Sequence, residues 1–282
     1  MISWIVLGLV QGITEFLPVS SSGHLVIAQG LFNLHSAGIG IEVAAHLGTL
    51  AAVLTVYGGD AISLAVGFLS GLVSAGGRRR PGFRAAAFVL LGSIPAGVAG
   101  IVWKDAFERM FESPVFAGLG LLLTGFVLFV SGRGSGGRRQ ARGLSTSEMG
   151  PGRAFIVGVS QALAIAPGVS RSGMTISAGL ASGLRGEEAA RFSFLLSIPA
   201  TAGAALLGVR DYLNAAVDIT GAAGTEEAPL AALAIVAIVA FVSGTVALRY
   251  LIGLLRKGGL KSFAYYCWAA GAVALWMGMY AR

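Results

Sequence analysis

Six apolar runs, residues 39–57, 85–103, 114–132, 188–207, 230–253 and 263–281, are each long enough to cross a hydrocarbon core of about 30 Å as a helix. Two further stretches, 2–31 and 154–184, are as apolar but are interrupted near the middle. The first interruption is QGITEFLPVSSSGHL, Gln11 to Leu25, and the second is IAPGVSRSGMT, Ile165 to Thr175. Irregular backbone at membrane depth is tolerated only where protein or a wet cavity covers it. Each interrupted stretch is therefore expected to form two half-helices joined by a turn that faces the interior. Residues 60–75 are short and follow Gly58-Gly59, which predicts an interfacial helix rather than a crossing. In KDAFERMFES the apolar residues Phe107, Met110 and Phe111 recur at helical spacing among Asp105, Glu108 and Glu112, which predicts a surface helix.

The loop charges orient these elements. Basic residues gather at Arg78, Arg79, Arg80 and Arg84, at Arg133, Arg138, Arg139, Arg142 and Arg153, and at Arg256, Lys257 and Lys261. Such clusters mark the cytoplasmic side. The loop with Asp211, Asp218, Glu226 and Glu227 is poor in bases and is placed outside. This assignment is self-consistent only if both interrupted segments are re-entrant, the first entering from outside and the second from inside. The expected fold class is an all-α integral membrane protein: an inverted-topology repeat with six transmembrane helices, two re-entrant broken helices and both termini outside. It forms one membrane domain, with a first repeat over 1–132, a basic, mobile linker over 133–153 and a second repeat over 154–282. Laid 150 positions apart, the halves match at Gln11 and Gln161, Val19 and Val169, Ser20 and Ser170, Ser22 and Ser172, and Gly23 and Gly173.

Composition strengthens the membrane reading, because 55% of the 282 residues are hydrophobic and 12% charged, against roughly 25% charged in an ordinary soluble domain. The 43 glycines suit helices packed through small faces. A net charge of +7 would suit nucleic acid, but the bases sit in short loops between apolar runs, so nucleic acid is not an expected partner. The one cysteine, Cys267, excludes an intrachain disulfide and a cysteine metal cluster. The start, MISWIVLGLV, has no basic n-region and is not expected to be a removable signal.

The chemistry lies in the interruptions. Gln11 and Glu15 are one helical turn apart, and a buried carboxylate needs a cation, a proton or an arginine beside it. Ser20, Ser21 and Ser22 either satisfy backbone groups freed at Pro18 or, with Gly23, build an anion site at a helix start. His24 can donate or accept a proton near neutrality. Arg171 offers a planar fork to phosphate or carboxylate, flanked by Ser170 and Ser172, with Thr175 one turn on. An internal salt bridge between Arg171 and Glu15 would equally join the two motifs. His35, in a polar turn, is expected to be solvated, and His46 to be a hydrogen-bonded core histidine. Phosphoryl transfer fits this set best, with a hard divalent cation, Mg2+ or Ca2+, bridging Glu15 to phosphate oxygens.

QGITEFLPVSSSGH and PGVSRSGMT resemble the two signature stretches of the undecaprenyl-pyrophosphate phosphatases of the bacitracin-resistance type. HLGTLAAV, LLGSIPAGVAG and RFSFLLSIPATAG extend the resemblance in matching order over nearly the whole chain. The resemblance implies a multi-pass enzyme of the plasma membrane that removes the terminal phosphate of a C55-type polyprenyl diphosphate and recycles the carrier lipid. It implies Glu15 as base or metal ligand, Ser21 or His24 as nucleophile or proton donor, and Arg171 as clamp on the diphosphate. Gln11, Ser20, Ser22, Ser170, Ser172 and Thr175 are then expected to bind substrate, Gln11 standing as the amide variant of a family acid. The expected partners are the lipid substrate and the bilayer, with a second copy of the chain as a candidate for a homodimer. The phosphatidic acid phosphatase type also uses Ser-Gly-His but needs a histidine where Ser177 stands. A lipid flippase or transporter is the alternative, because inverted repeats with broken helices also build transporters.

Overall fold

The computed structural model describes residues 1–25, 38–111, 113–134, 143–217 and 228–280. His35, Glu112, Arg138, Arg139, Arg142, Asp218, Glu226 and Glu227 lie outside the described residues. The elements in chain order are α1 (Ile2–Phe16), α2 (Gly38–Val73), the short α3 (Ala75–Arg78), α4 (Pro81–Val102), α5 (Lys104–Phe111) and α6 (Pro114–Gly134). A 3-10 turn (Thr146–Glu148) follows, then α7 (Pro151–Leu163), α8 (Arg171–Ala181), α9 (Gly186–Val217), α10 (Leu230–Arg256) and α11 (Lys261–Tyr280). Among the described residues the only β contact is an isolated bridge between Leu144 and Leu184.

Five of these helices, α2, α4, α6, α9 and α10, are long and apolar enough to cross a membrane. The fold is therefore an all-α membrane protein. Large apolar residues such as Leu9, Ile94, Phe126 and Val246 are exposed on its outer face, as a lipid solvent requires. The run expected to be a sixth crossing, α11, has the length but carries Tyr265, Tyr266, Trp268, Trp276 and Tyr280, whose polar atoms lower its hydropathy.

The 39–57 run and the helix expected over 60–75 are two helical pieces that meet without a loop at a kink, where Tyr57 leaves helical geometry (φ −115°, ψ 21°), and helix continues to Val73. The Gly58-Gly59 pair after the kink softens the backbone without removing a donor. KDAFERMF does form a surface helix, α5, with no buried residue. The described part of the basic linker is docked, contrary to the mobile tether its Gly and Ser content predicts. Leu144 bridges Leu184, Met149 is fully buried, and Thr146 gives its backbone N–H and hydroxyl to Glu188 Oε2, each at 2.7 Å.

Small residues set the helix spacing. A Cβ at Gly12 of α1 would lie 2.0 Å from Ser243 Oγ on α10, so these helices meet nearly backbone to backbone. Both expected interruptions are present. α1 ends at Phe16, and helix resumes at residue 21. α7 ends at Leu163, and α8 begins at Arg171. The packed interior gathers around them: Phe16 meets Phe194 of α9 edge-on, with centroids 5.6 Å apart, and Tyr57 at the bend of α2 packs on the same ring (6.2 Å). This core fixes the residue after Glu15 against α9 and against Gly244 of α10 and so places the carboxylate.

Candidate active site

Pro18 lacks an N–H and restricts the residue before it, and Leu17 is correspondingly extended (ψ 141°), which stops α1 at Phe16, directly after Glu15. The chain reverses through Ser20, the only described residue other than glycine in the left-handed region (φ 68°). Strain of this kind persists only where surroundings enforce it. Here the Ser20 carbonyl meets His24 Nδ1 at 2.7 Å and its hydroxyl lies 3.2 Å from that of Ser22. In the second interruption Gly168 takes the left-handed conformation (φ 78°), where a Cβ would stand 1.9 Å from the Ala117 carbonyl oxygen. Thr124 of α6 holds this turn, donating to the Gly168 carbonyl (3.2 Å) and accepting from the Ser170 N–H (2.9 Å). Ser170 caps α8 by accepting from the Gly173 N–H (3.1 Å).

The two turns meet. Ser172 donates to the Leu17 carbonyl at 3.4 Å, and Gly23 packs against Gly168. Across this contact Glu15 and Arg171 form an ion pair through Oε1 and Nη2, with side chains 9% and 19% exposed. Glu15 Oε2 accepts from Ser21 Oγ at 2.7 Å and from Gln11 Nε2 at 3.2 Å. Three donors thus hold the carboxylate, two on Oε2 and one on Oε1, and the salt bridge allowed from sequence is the joint between the motifs. Arg171 Nη1 and Gln11 Oε1 are buried and have no hydrogen-bond partner among the described residues. Glu15 and Arg171 line a crevice with Phe16, Thr49, Leu50, Val53, Ser197 and Thr201.

The other expected residues are placed less openly. Ser20, Ser170 and Ser172 are buried, with Ser170 and Ser172 hydroxyls 3.2 Å apart, matching the Ser20 and Ser22 pair in the first half. Thr175 is fully buried and turned toward α9: its hydroxyl donates to the Arg171 carbonyl (2.8 Å) and meets Ser193 Oγ at 2.5 Å. His46 is half-buried, its Nδ1 2.8 Å from the Glu42 carbonyl, one turn before Thr49 at the crevice. The sequence reading missed Thr124, Ser193 and Tyr266, whose hydroxyl is 2.6 Å from His24 Nε2. Nothing local marks Thr124 or Ser193, whereas two adjacent tyrosines in an apolar run were a readable signal.

A divalent cation fits this donor set in one way only. Among the described residues no three His, Cys, Asp or Glu side chains cluster. Gln11 Oε1 is nonetheless a hard oxygen, buried and without a hydrogen-bond partner among the described residues, on the amide whose Nε2 bonds Glu15. With a Glu15 oxygen, which would have to exchange a present partner, it offers ligands of the kind taken by an ion that completes its shell with phosphate oxygens, as Mg2+ does.

A multi-pass membrane protein whose broken helices bring a buried carboxylate, hydroxyls, an imidazole and a half-satisfied guanidinium together has the makings of a site for a phosphorylated lipid. The comparisons give the family. The chain belongs to the bacitracin resistance protein BacA family, whose model matches residues 4–273. It is 40% identical to the undecaprenyl-diphosphatase of Desulfosudis oleivorans over 99% of this chain and 98% of that one. It is 38% identical to the undecaprenyl-diphosphatase of Methanosphaera stadtmanae (98% and 97%) and 39% identical to that of Rubrobacter xylanophilus (95% of each).

Proposed function

We infer that this chain is an undecaprenyl-diphosphate phosphatase, a membrane hydrolase that converts the lipid diphosphate to lipid monophosphate and inorganic phosphate. The observation that carries the site is the Glu15 and Arg171 pair, which joins the two interruptions and leaves Arg171 Nη1 buried without a partner. A phosphate oxygen arriving in the crevice can take that free N–H, and Arg171 then clamps the diphosphate while its charge offsets the negative charge of the transferring group. Release of Arg171 toward the substrate frees Glu15 Oε1, and Ser21 stays on Oε2 with its hydroxyl oriented for proton loss to the carboxylate. Ser21 or His24 serves as nucleophile or proton donor. Gln11, Ser20, Ser22, Ser170, Ser172 and Thr175 shape and support the anion site.

Gln11 Oε1 and Glu15 would hold a divalent ion, Mg2+ or Ca2+, together with diphosphate oxygens. Such an ion supplies charge neutralisation on the leaving phosphate when bound. The lipid and the bilayer are the partners, a second copy is a candidate one, and the plasma membrane is the site of action. The finer topology belongs to the same proposal: six crossings, with α11 as the sixth, and two re-entrant segments related as an inverted repeat. The matched Ser pairs at 3.2 Å in the two turns and the buried Gln11 and Gln161 support it. No observation favours the transport alternative.

The test uses purified protein and polyprenyl diphosphate in detergent micelles. Inorganic phosphate is released with Mg2+ or Ca2+ and not with chelator, and Arg171→Ala and Glu15→Ala each abolish release. Normal turnover in both variants overturns the site, and equal turnover in chelator overturns the metal. Cysteine labelling at Ser74 and Ser147, in a Cys267→Ala background, places both loops on one side; labelling from opposite sides refutes the topology.

A further inference from the structure

His24 is held at both nitrogens. A carbonyl oxygen only accepts, so the 2.7 Å contact with the Ser20 carbonyl puts the ring proton on Nδ1. In the neutral ring Nε2 is then an acceptor, and the Tyr266 hydroxyl, 2.6 Å away, is its donor. The two ring planes lie within 9° of each other with centroids 5.6 Å apart. With so short an O to N distance, parallel rings cannot be stacked face to face. The phenol oxygen instead meets the imidazole at its Nε2 edge.

Tyr266 is itself held in place. Its neighbour Cys267 is fully buried and its thiol donates to the Pro18 carbonyl at 3.4 Å, so α11 is tied to the same break that carries His24. On the other side Tyr265 and Trp268 pack on Phe129 of α6, with centroids 6.1 and 5.3 Å away. Gly125 of α6 leaves room for the indole: a Cβ there would lie 2.5 Å from it. The rotation of α11 about its axis is thereby fixed, and with it the direction of the phenol. This is more support than an aromatic at a lipid boundary needs.

We propose that Tyr266 is a positioning residue for His24, holding the imidazole as the Nδ1–H tautomer with its Nε2 lone pair engaged and aimed. The consequence for chemistry rests on the phosphatase reading. While the phenol occupies Nε2, His24 has no free lone pair with which to attack phosphorus. It can instead relay a proton, Nε2 taking the phenol proton as the phenol oxygen takes the one leaving the attacking oxygen of Ser21 or water. Tyr266 also brings α11 into a site that the two signature motifs do not reach.

Tyr266→Phe keeps the ring and removes only the donor. Its kcat should fall roughly tenfold, the loss of one oriented hydrogen bond, with KM within about twofold of the parent value. Nitrogen NMR of histidine-labelled protein gives a readout that a merely structural residue would not move. The His24 Nε2 resonance, assigned by its absence in His24→Gln, should shift toward that of an imidazole nitrogen without a donor, while Nδ1 keeps its proton. Replacing tyrosine by 3-fluorotyrosine, a stronger phenol donor, should shift it the other way in the otherwise unchanged chain, which tests the bond even if the phenylalanine variant folds poorly. Tyr265→Phe, at a ring that packs on Phe129 and Trp268, should leave kcat and the resonance unchanged. An Nε2 resonance that ignores both replacements, or a Tyr266→Phe enzyme with parental kcat, overturns the proposal. If the parent protein releases no phosphate, the phosphatase reading fails, and the NMR result still decides the pairing.

Discussion

Replacing Glu15 by glutamine probes the joint between the two broken helices, because the amide keeps the shape and removes the charge. The carboxylate now accepts from Arg171, from Ser21 at 2.7 Å and from Gln11 at 3.2 Å. An amide offers one acceptor oxygen and one NH2, so the NH2 would face the Gln11 NH2 donor or the guanidinium, and one of the three bonds fails outright. The larger effect is on Arg171, whose cation is left in a site only 19% open to solvent. Removing one partner of a buried pair costs about 3–5 kcal/mol. For a domain of this size that is a fall in melting temperature on the order of 10 °C. Arg171→Gln should cost a similar amount. The double variant buries neither charge and should cost less than the two singles together, by roughly 2 kcal/mol or more. Cys267 supplies the assay: it is fully buried, so a thiol-reactive fluorophore reports unfolding in detergent without a label being engineered. Turnover should fall at least about a hundredfold in all three variants, since each removes the charge arrangement that meets the phosphate. Single variants that melt within about 1 °C of the parent, or a double variant equal to the sum of the singles, would refute the claim that this pair holds the two motifs together.

Three further predictions use the same melting assay. Gly168→Ala forces a side chain into a left-handed turn and against the Ala117 carbonyl, so it should lower the melting temperature on the order of 10 °C or prevent folding; parental melting would show that this turn is not closed as described. Thr124→Val leaves the Gly168 carbonyl and the Ser170 N–H buried without partners, at a cost of about 2–4 kcal/mol, and a change below about 0.5 kcal/mol would remove Thr124 from the support of the second turn. At Glu148, outside the spanning helices, the Ser145 backbone N–H and hydroxyl hold the carboxyl below its ordinary value of 4.5. A depressed carboxyl contributes stability that is present above the unfolded value and is lost as pH falls through the folded one. Glu148→Gln should therefore flatten the acid side of the stability profile below about pH 4.5 and leave its neutral side parallel to the parent; an unchanged acid limb would count against the cap.

What could be read from the sequence follows from which interactions are local. Apolar runs mark the crossings because each helix meets lipid on its own account, and Pro18 marks the first break because a missing N–H acts at its own position. The Glu15 and Arg171 pairing was legible for a different reason: a lone charge at membrane depth demands a countercharge, and few residues of the opposite sign lay in interrupted apolar sequence. The kink at Tyr57 was legible because Gly58-Gly59 weakens a helix at its own position, whereas the helix beyond it, to Val73, is held by packing of α2 against α4, α9 and α10. Thr124, Ser193 and Tyr266 act through contacts between helices, and in an apolar run a threonine bonded across to another helix looks the same as one bonded to its own backbone. Symmetry between the halves was informative up to a point. Ser20 and Ser170, and Ser22 and Ser172, occupy equivalent places, but the offset that aligns them sets Ser21 against Arg171 and His24 against Met174. The charged and titrating groups are those that break the repeat. Two similar turns provide the scaffold, and each half contributes what the other lacks: the first a carboxylate and an imidazole, the second a fixed positive charge.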